Sequence, residues 1–237
     1  MSEGDTRQRR TTESLPLGAV LAVAGGFLDT YTYVGRHGVF ANAQTGNVVL
    51  FGVLAAAGRW SQALRHVPPI LAFVLGVAVA ETLRRPRVAA ALRWPARAAL
   101  VLEIAVLVVV GFLPEGIPDL VVTVTIAFVT SIQVSTFGTL IRWSYNTTVM
   151  TGNLRSAAHA LYLATVAHDL EARQRFRGFA TIILCFLTGA LLGAYLTDRL
   201  GPKAAWVASG ILLAALALFV IDEWRERRPR NQPSAFI

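Results

Sequence analysis

AQTGN at 43–47 and VMTGN at 149–153 place the same polar tripeptide, Thr-Gly-Asn, twice at the mouth of an apolar run. How those runs fold depends on the solvent they meet. The chain has 237 residues, 54% of them hydrophobic and only 15% charged, too apolar a mixture for an ordinary soluble domain. Apolar stretches fall near 17–34, 46–57, 67–83, 98–113, 118–141, 149–166, 178–197 and 203–221. Several are long enough, at about 1.5 Å per residue, to cross a hydrocarbon core of about 30 Å. Lipid offers no partner to backbone groups outside helices and closed barrels. The expected fold is therefore all-α, a polytopic membrane helical bundle.

Counting Lys and Arg decides which runs cross. If all eight span with the amino terminus inside, the cytoplasmic segments hold 12 basic residues and the external ones 9, with the Arg84, Arg85, Arg87, Arg93, Arg97 loop stranded outside. If each Thr-Gly-Asn run instead enters and leaves on one side, six helices cross. Arg7, Arg9, Arg10, the arginine loop, Arg173, Arg175, Arg177 and Arg225, Arg227, Arg228, Arg230 then gather inside, 15 against 5. Positive residues concentrate in short cytoplasmic loops, so the six-span arrangement is preferred, with both termini cytoplasmic. The first Thr-Gly-Asn run, about 21 Å long as a helix, is also too short to span. In the second, Arg155 and His159 are expensive against lipid and tolerable against a wet cavity.

The chain reads as duplicated. Arg36 precedes Thr45 by nine residues, and Arg142 precedes Thr151 by the same nine. FVLGVAVAETLRR at 73–85 matches FLTGALLGAYLTDR at 186–199 with Gly76 on Gly189, and RAALVLEIAVL at 97–107 matches KAAWVASGILL at 203–213. GGFLDT at 25–30 corresponds to FVTSIQ at 128–133 with a two-residue insertion, which sets Asp29 opposite Gln133. Each half holds three crossing helices and one re-entrant or broken half-helix. Three is odd, so the halves are expected to be inverted repeats, an arrangement found in secondary transporters with a midplane site at the repeat interface. The expected organisation is a cytoplasmic tail at 1–16, membrane repeats at 17–113 and 114–221, and a basic cytoplasmic tail at 222–237.

The run GGFLDTYTYVGRHGVFANAQTGNVVLFG, with the later SIQ and TTVMTGNL, resembles the YoaK family of uncharacterised bacterial inner-membrane proteins. The resemblance extends over roughly 17–221. It implies a multipass protein of about six spans in the bacterial plasma (inner) membrane and says nothing of an activity. Where family members carry Gly-x-Gln-Asn in the fifth apolar run, this chain has Ser131-Ile132-Gln133-Val134, so no asparagine stands there.

Each tripeptide offers a binding chemistry. Thr45 and Thr151 stand at N-cap-like positions, where a hydroxyl accepts an orphan amide proton. Gly46 and Gly152 allow close backbone approach. Asn47 and Asn153 place a donor and an acceptor in the first turn. A helix N-terminus in the membrane favours an anion or a carbonyl oxygen, and two ends entering from opposite sides would converge on one substrate site together with Gln133 and Arg155. The bland reading gives the tripeptide only a capping and packing role.

Asp29, deep in the first span, is the sharpest candidate for proton or ion coupling; a neutral Asp bonded to a neighbouring helix is its plain alternative. Glu103 and His159 follow. Glu103 is expected to snorkel or to pair with Arg97, and Arg155 and His159, four residues apart, share a helical face. GVAVA at 76–80 and GALLG at 189–193 read as small-residue helix contacts without chemistry.

Other classes fall away on composition. The first run carries Asp29, Tyr31 and Tyr33 and lacks a small-residue cleavage site, so no signal peptide is expected. One cysteine, Cys185, excludes an internal disulfide and a thiolate metal cluster. No metal and no cofactor are expected. The net charge of +8 sits at run edges, where it orients a membrane protein, and no nucleic-acid partner is expected. The expected partners are the lipid bilayer and a small polar or anionic solute, with room for a homo-oligomer. No HExxH, catalytic carboxylate pair or Ser/His constellation is visible, so no enzyme is expected. A secondary transporter or facilitator of a small polar, anionic solute leads; a non-catalytic scaffold or lipid-interacting protein is the alternative, and a membrane enzyme comes third.

Overall fold

In the computed structural model, residues 14–85, 95–114, 116–137, 139–140, 143–144 and 150–227 are described. Arg7, Arg9, Arg10, Arg87, Arg93, Arg142, Trp94 and the tail from 228 onward lie outside them. The chain is helical: α1 Leu15–Gly35, α2 Gln44–Ala56, α3 Trp60–Ala63, α4 Val67–Leu83, α5 Pro95–Phe112, α6 Asp119–Thr136, α7 Met150–Val166, α8 Leu170–Leu200 and α9 Ala204–Arg227. A two-residue antiparallel pairing, Thr139–Leu140 with Trp143–Ser144, interrupts the connection from α6 to α7.

Five apolar helical stretches are long enough to cross a membrane, and the fifth, Leu170–Trp224, consists of two helices. A 3₁₀ turn at Gly201–Lys203 separates α8 from α9, with Gly201 at φ +55°. The surface is apolar and the interior partly polar, as a lipid solvent requires. Leu71 is 63% exposed and Val109 60%, whereas Asp29 is 3% exposed and Glu103 1%.

Glycine sets the closest helix contacts. Gly189 of α8 lies on the backbone of Val23 in α1, Gly193 on Phe27, and Gly26 of α1 on Phe186. Thr197 then meets Gly35 at 3.0 Å from the position of an added Cβ. Positions advance together along both helices, so α1 and α8 run parallel. The same device joins α4 to α6: Gly76 sits against Phe128 and Ser131, and Arg84 donates to the Ser135 carbonyl oxygen. That pair is parallel too. Both small-residue stretches therefore act as the contacts expected of them.

The remaining spans close the core. Leu17, Leu21, Phe27, Leu28 and Tyr31 of α1 pack with Leu100 and Leu107 of α5, Ile126 of α6, and Leu212 and Phe219 of α9. Trp206 Nε1 donates to the Val108 carbonyl oxygen at 3.1 Å, and Arg97 pairs with Glu223. Those contacts at opposite ends make α5 and α9 antiparallel. Arg36, just past α1, bonds Asp119 at the start of α6 at 2.9 Å, so α1 and α6 also oppose.

Candidate functional site

Past Gly35 the chain reverses at His37 and Gly38, both at positive φ (57° and 79°). The Gly38 amide returns to the Tyr33 carbonyl oxygen, and His37 Nδ1 stands 2.8 Å from Asp119. Burial by itself would lower the Arg36 guanidinium pKa, but hydrogen bonds to Asp119 and Tyr31 outweigh it and hold the group above its ordinary value. The end of α1 is thus tied to the start of α6, and residues 39–43 fold back along α1.

That returning segment has no secondary structure, so its backbone must find partners elsewhere. Side chains supply them. Asn47 Oδ1 accepts from the Phe40 amide at 3.0 Å, and Thr32 Oγ1 accepts from the Ala41 amide at 3.0 Å. Asp29 Oδ1 accepts from the amides of Asn42 at 2.8 Å and Ala43 at 3.1 Å. Among the carbonyls, Phe40 receives Asn47 Nδ2 at 2.8 Å and Ala41 receives Gln44 Nε2 at 2.7 Å. His66 Nδ1, at the foot of α4, lies 3.2 Å from Asn47 Oδ1.

The first tripeptide therefore departs from its sequence reading. Helix α2 begins at Gln44 with Ala43 as N-cap and no side-chain cap, so Thr45 falls inside the first turn and is exposed. Its hydroxyl is not the cap, because the reversal that ends the loop comes two residues earlier than the motif suggests. Gly46 leaves room for the Phe40 ring, which an added Cβ would meet at 2.8 Å. Asn47 is fully buried and its carboxamide is taken up by Phe40, Gln44 and His66. It braces the loop instead of facing a solute. At 13 residues, α2 is about 20 Å long and turns back through Gly58, at φ +73°, into α3.

At the second tripeptide, α7 is described from Met150, with Thr151 and Gly152 exposed and Asn153 buried. No neighbour stands within 4 Å of a Cβ added at Gly152. Met150 packs against the cluster of Ala22, Phe179 and Ile182. Arg155 and His159 are exposed and, with Ser156 and Arg175, line a cleft of about 260 Å³.

Asp29 Oδ2, Glu103 Oε2 and Gln133 Nε2 are among the buried side-chain atoms without a hydrogen-bond partner, as is Asn42 Oδ1 beside Asp29. Glu103 does not snorkel. It occupies the middle of α5, and Arg97, its expected partner, is bonded to Glu223. Gln133 and Asp29 each stand fourteen residues after the first residue of their helices. Sequence reasoning passed over Thr32, Gln44 and His66; their partners lie 9, 3 and 19 residues away across turns, and nothing in local periodicity marks them. Among the described residues, no cluster of three or more His, Cys, Asp or Glu could hold a metal ion.

Residues 17–218, which include every element of this site, match a family described as a protein of unknown function, DUF1275. The chain belongs to the DUF1275 family. Neither a curated protein nor a solved structure matches it. The match spans α2, α7, Asp29, Glu103 and Gln133.

Proposed function

We propose that the protein is a secondary transporter or facilitator of a small polar, anionic solute, with Asp29 as the group whose charge governs access. One observation carries the reading. The Asn42 and Ala43 amides, at the start of a helix inside the bundle, are held by Asp29 Oδ1 while its Oδ2 is buried and unpaired. Two amides at a helix N-terminus make a seat for an anion. In this conformation the seat holds the protein's own carboxylate. A proton on Asp29 weakens that hold, and an anionic solute then competes for the same amides, so proton and anion move together.

The inverted arrangement supports this reading. Residues 17–113 and 114–221 form the two repeats. Under the exchange of α1 with α6, α2 with α7, α4 with α8 and α5 with α9, the contact of α1 on α8 becomes that of α6 on α4. The pair α1 and α6 runs antiparallel, as does α5 and α9, which is the relation inverted halves require. We place both termini in the cytoplasm of a bacterial inner membrane, on the strength of the arginine count.

The test is counterflow in proteoliposomes carrying the full chain, with formate, acetate and nitrate as the first probes. Counterflow by the native chain that is lost in Asp29→Asn, while the variant still melts cooperatively, supports the proposal. If no anion moves and Asp29→Asn changes only the melting temperature, Asp29 serves the loop alone and the alternative of a non-catalytic membrane module takes its place.

A further inference from the structure

The cleft between α7 and α8 is separate from the Asp29 loop and has its own chemistry. Among the described residues its lining is Arg155, Ser156, His159 and Arg175, none of them a carboxylate. Arg155 and His159 take part in no ion pair among the described residues. Two guanidiniums, an imidazole and a hydroxyl around one hollow offer donors from several directions.

Depth narrows the ligand. Ala157 of α7 and Phe179 of α8 belong to one apolar cluster, against which Leu15, the first residue of α1, and Phe176 pack. Ser156 and Arg175 are chain neighbours of Ala157 and Phe176, so the cleft opens at the level where α1 enters the membrane. Below this level, α8 continues for several residues past α1 with α7 alongside. A cationic hollow at the boundary of the hydrocarbon stands where lipid phosphates stand. Guanidinium forks match phosphate oxygens two at a time.

We infer that the cleft lined by Arg155, Ser156, His159 and Arg175 binds a phosphate group. Its source is either the headgroup of an anionic phospholipid or a soluble phosphate, and the test separates them. Ser156 supplies a hydroxyl that donates to one oxygen, and the two arginines engage the others. The inference is independent of the transport reading, since it concerns a different pair of helices and needs no solute to cross.

The full chain in detergent is titrated with inorganic phosphate, against chloride at matched ionic strength, and with dioleoyl phosphatidylglycerol, against dioleoyl phosphatidylcholine. Binding is read by native mass spectrometry for lipid and by the shift in melting temperature for both probes. Binding of phosphatidylglycerol alone assigns the cleft to lipid; binding of inorganic phosphate assigns it to a soluble phosphate. In either case Arg155→Gln is expected to weaken the probe about tenfold, the loss of one charged hydrogen bond. Ser156→Ala, a second and gentler change, is expected to weaken it less. Arg173→Gln, on the exposed face of α8 outside the cleft, leaves binding unchanged. Failure of both probes to bind, or an equal effect of Arg155→Gln and Arg173→Gln, overturns the inference, because the attraction is then absent or merely diffuse charge.

Discussion

Removing the Asp29 side chain strands two backbone amides, those of Asn42 and Ala43, inside the bundle. A buried group left unpaired costs about 1–3 kcal/mol, so Asp29→Ala is expected to lose roughly 2–6 kcal/mol, read as a large drop in melting temperature in detergent. Asp29→Asn keeps a carbonyl oxygen for both amides and is expected to lose distinctly less. Equal losses in the two variants would show that the charge, and not the acceptor, holds the loop. Asn47 poses the same question from the other side of the segment. Asn47→Ala frees both the amide and the carbonyl of Phe40 and is expected to be as damaging, whereas Thr45→Val, at an exposed hydroxyl that bonds nothing among the described residues, stays within about 0.5 kcal/mol. These residues differ in how far the sequence revealed them. Asp29 stood out because a carboxylate in an apolar run is costly and so demands a reason. Thr45 was misplaced because a cap depends on where the backbone reverses, and a left-handed His37 is not visible as a turn signal in the way a glycine is. Glu103 neither snorkels nor pairs with Arg97 because α5 starts at Pro95, before the apolar run does, and leaves the residue mid-helix.

Helices that run parallel at close range need a flat surface on both partners, and glycine provides it. Cβ atoms added at Gly76 and Gly189 would overlap Ser131 and the Val23 backbone respectively. Gly76→Ala and Gly189→Ala are therefore expected to push α4 off α6 and α8 off α1, at about 1–3 kcal/mol each from overpacking. Gly152→Ala and Gly210→Ala, in helices with open space at the added Cβ, are expected to be neutral or to gain about 0.5–1 kcal/mol, as a helical glycine replaced by alanine does. Thermal melting of the four variants sorts them, and a Gly189→Ala protein as stable as Gly152→Ala would mean that the α1 and α8 contact is slack. At this scale the sequence was most informative. The small-residue spacing, Gly76 with Ala80 and Gly189 with Gly193, announces the contact face, and the two stretches align with each other. Which helices they meet was not legible, since a small-residue face says that something approaches closely without naming it.

At the scale of the whole molecule, side chains that join distant helices fix which turns share an end of the bundle. Arg36 with Asp119, and Tyr31 Oη donating to the Pro202 carbonyl oxygen at 3.3 Å, put the end of α1, the start of α6 and the turn between α8 and α9 together. His66 beside Asn47 brings the α2 and α3 hairpin, with Gly58 at its tip, to that end as well. The α7 and α8 hairpin, with His168 at φ 52° in its turn, projects from the opposite end, where Leu15 begins α1. In the sequence, apolar run length sufficed to announce an all-helical membrane protein, and the structure has five apolar helical stretches long enough to cross, because that length follows from the energetics of lipid. Where α2 starts was beyond it, because bonds between the 39–43 loop and α1 determine that start. Single cysteines placed at Gly58, Gly116, Gly201 and His168 in a Cys185→Ser chain test the arrangement. With an impermeant maleimide in sealed, oriented vesicles, the first three are expected to label from one side and His168 only from the other. Labelling of Gly58 and His168 from the same side would mean that one half-helix hairpin crosses the membrane completely. The Asn42 and Ala43 amides would then no longer stand at the tip of a half-helix, and Asp29 would have no seat to guard.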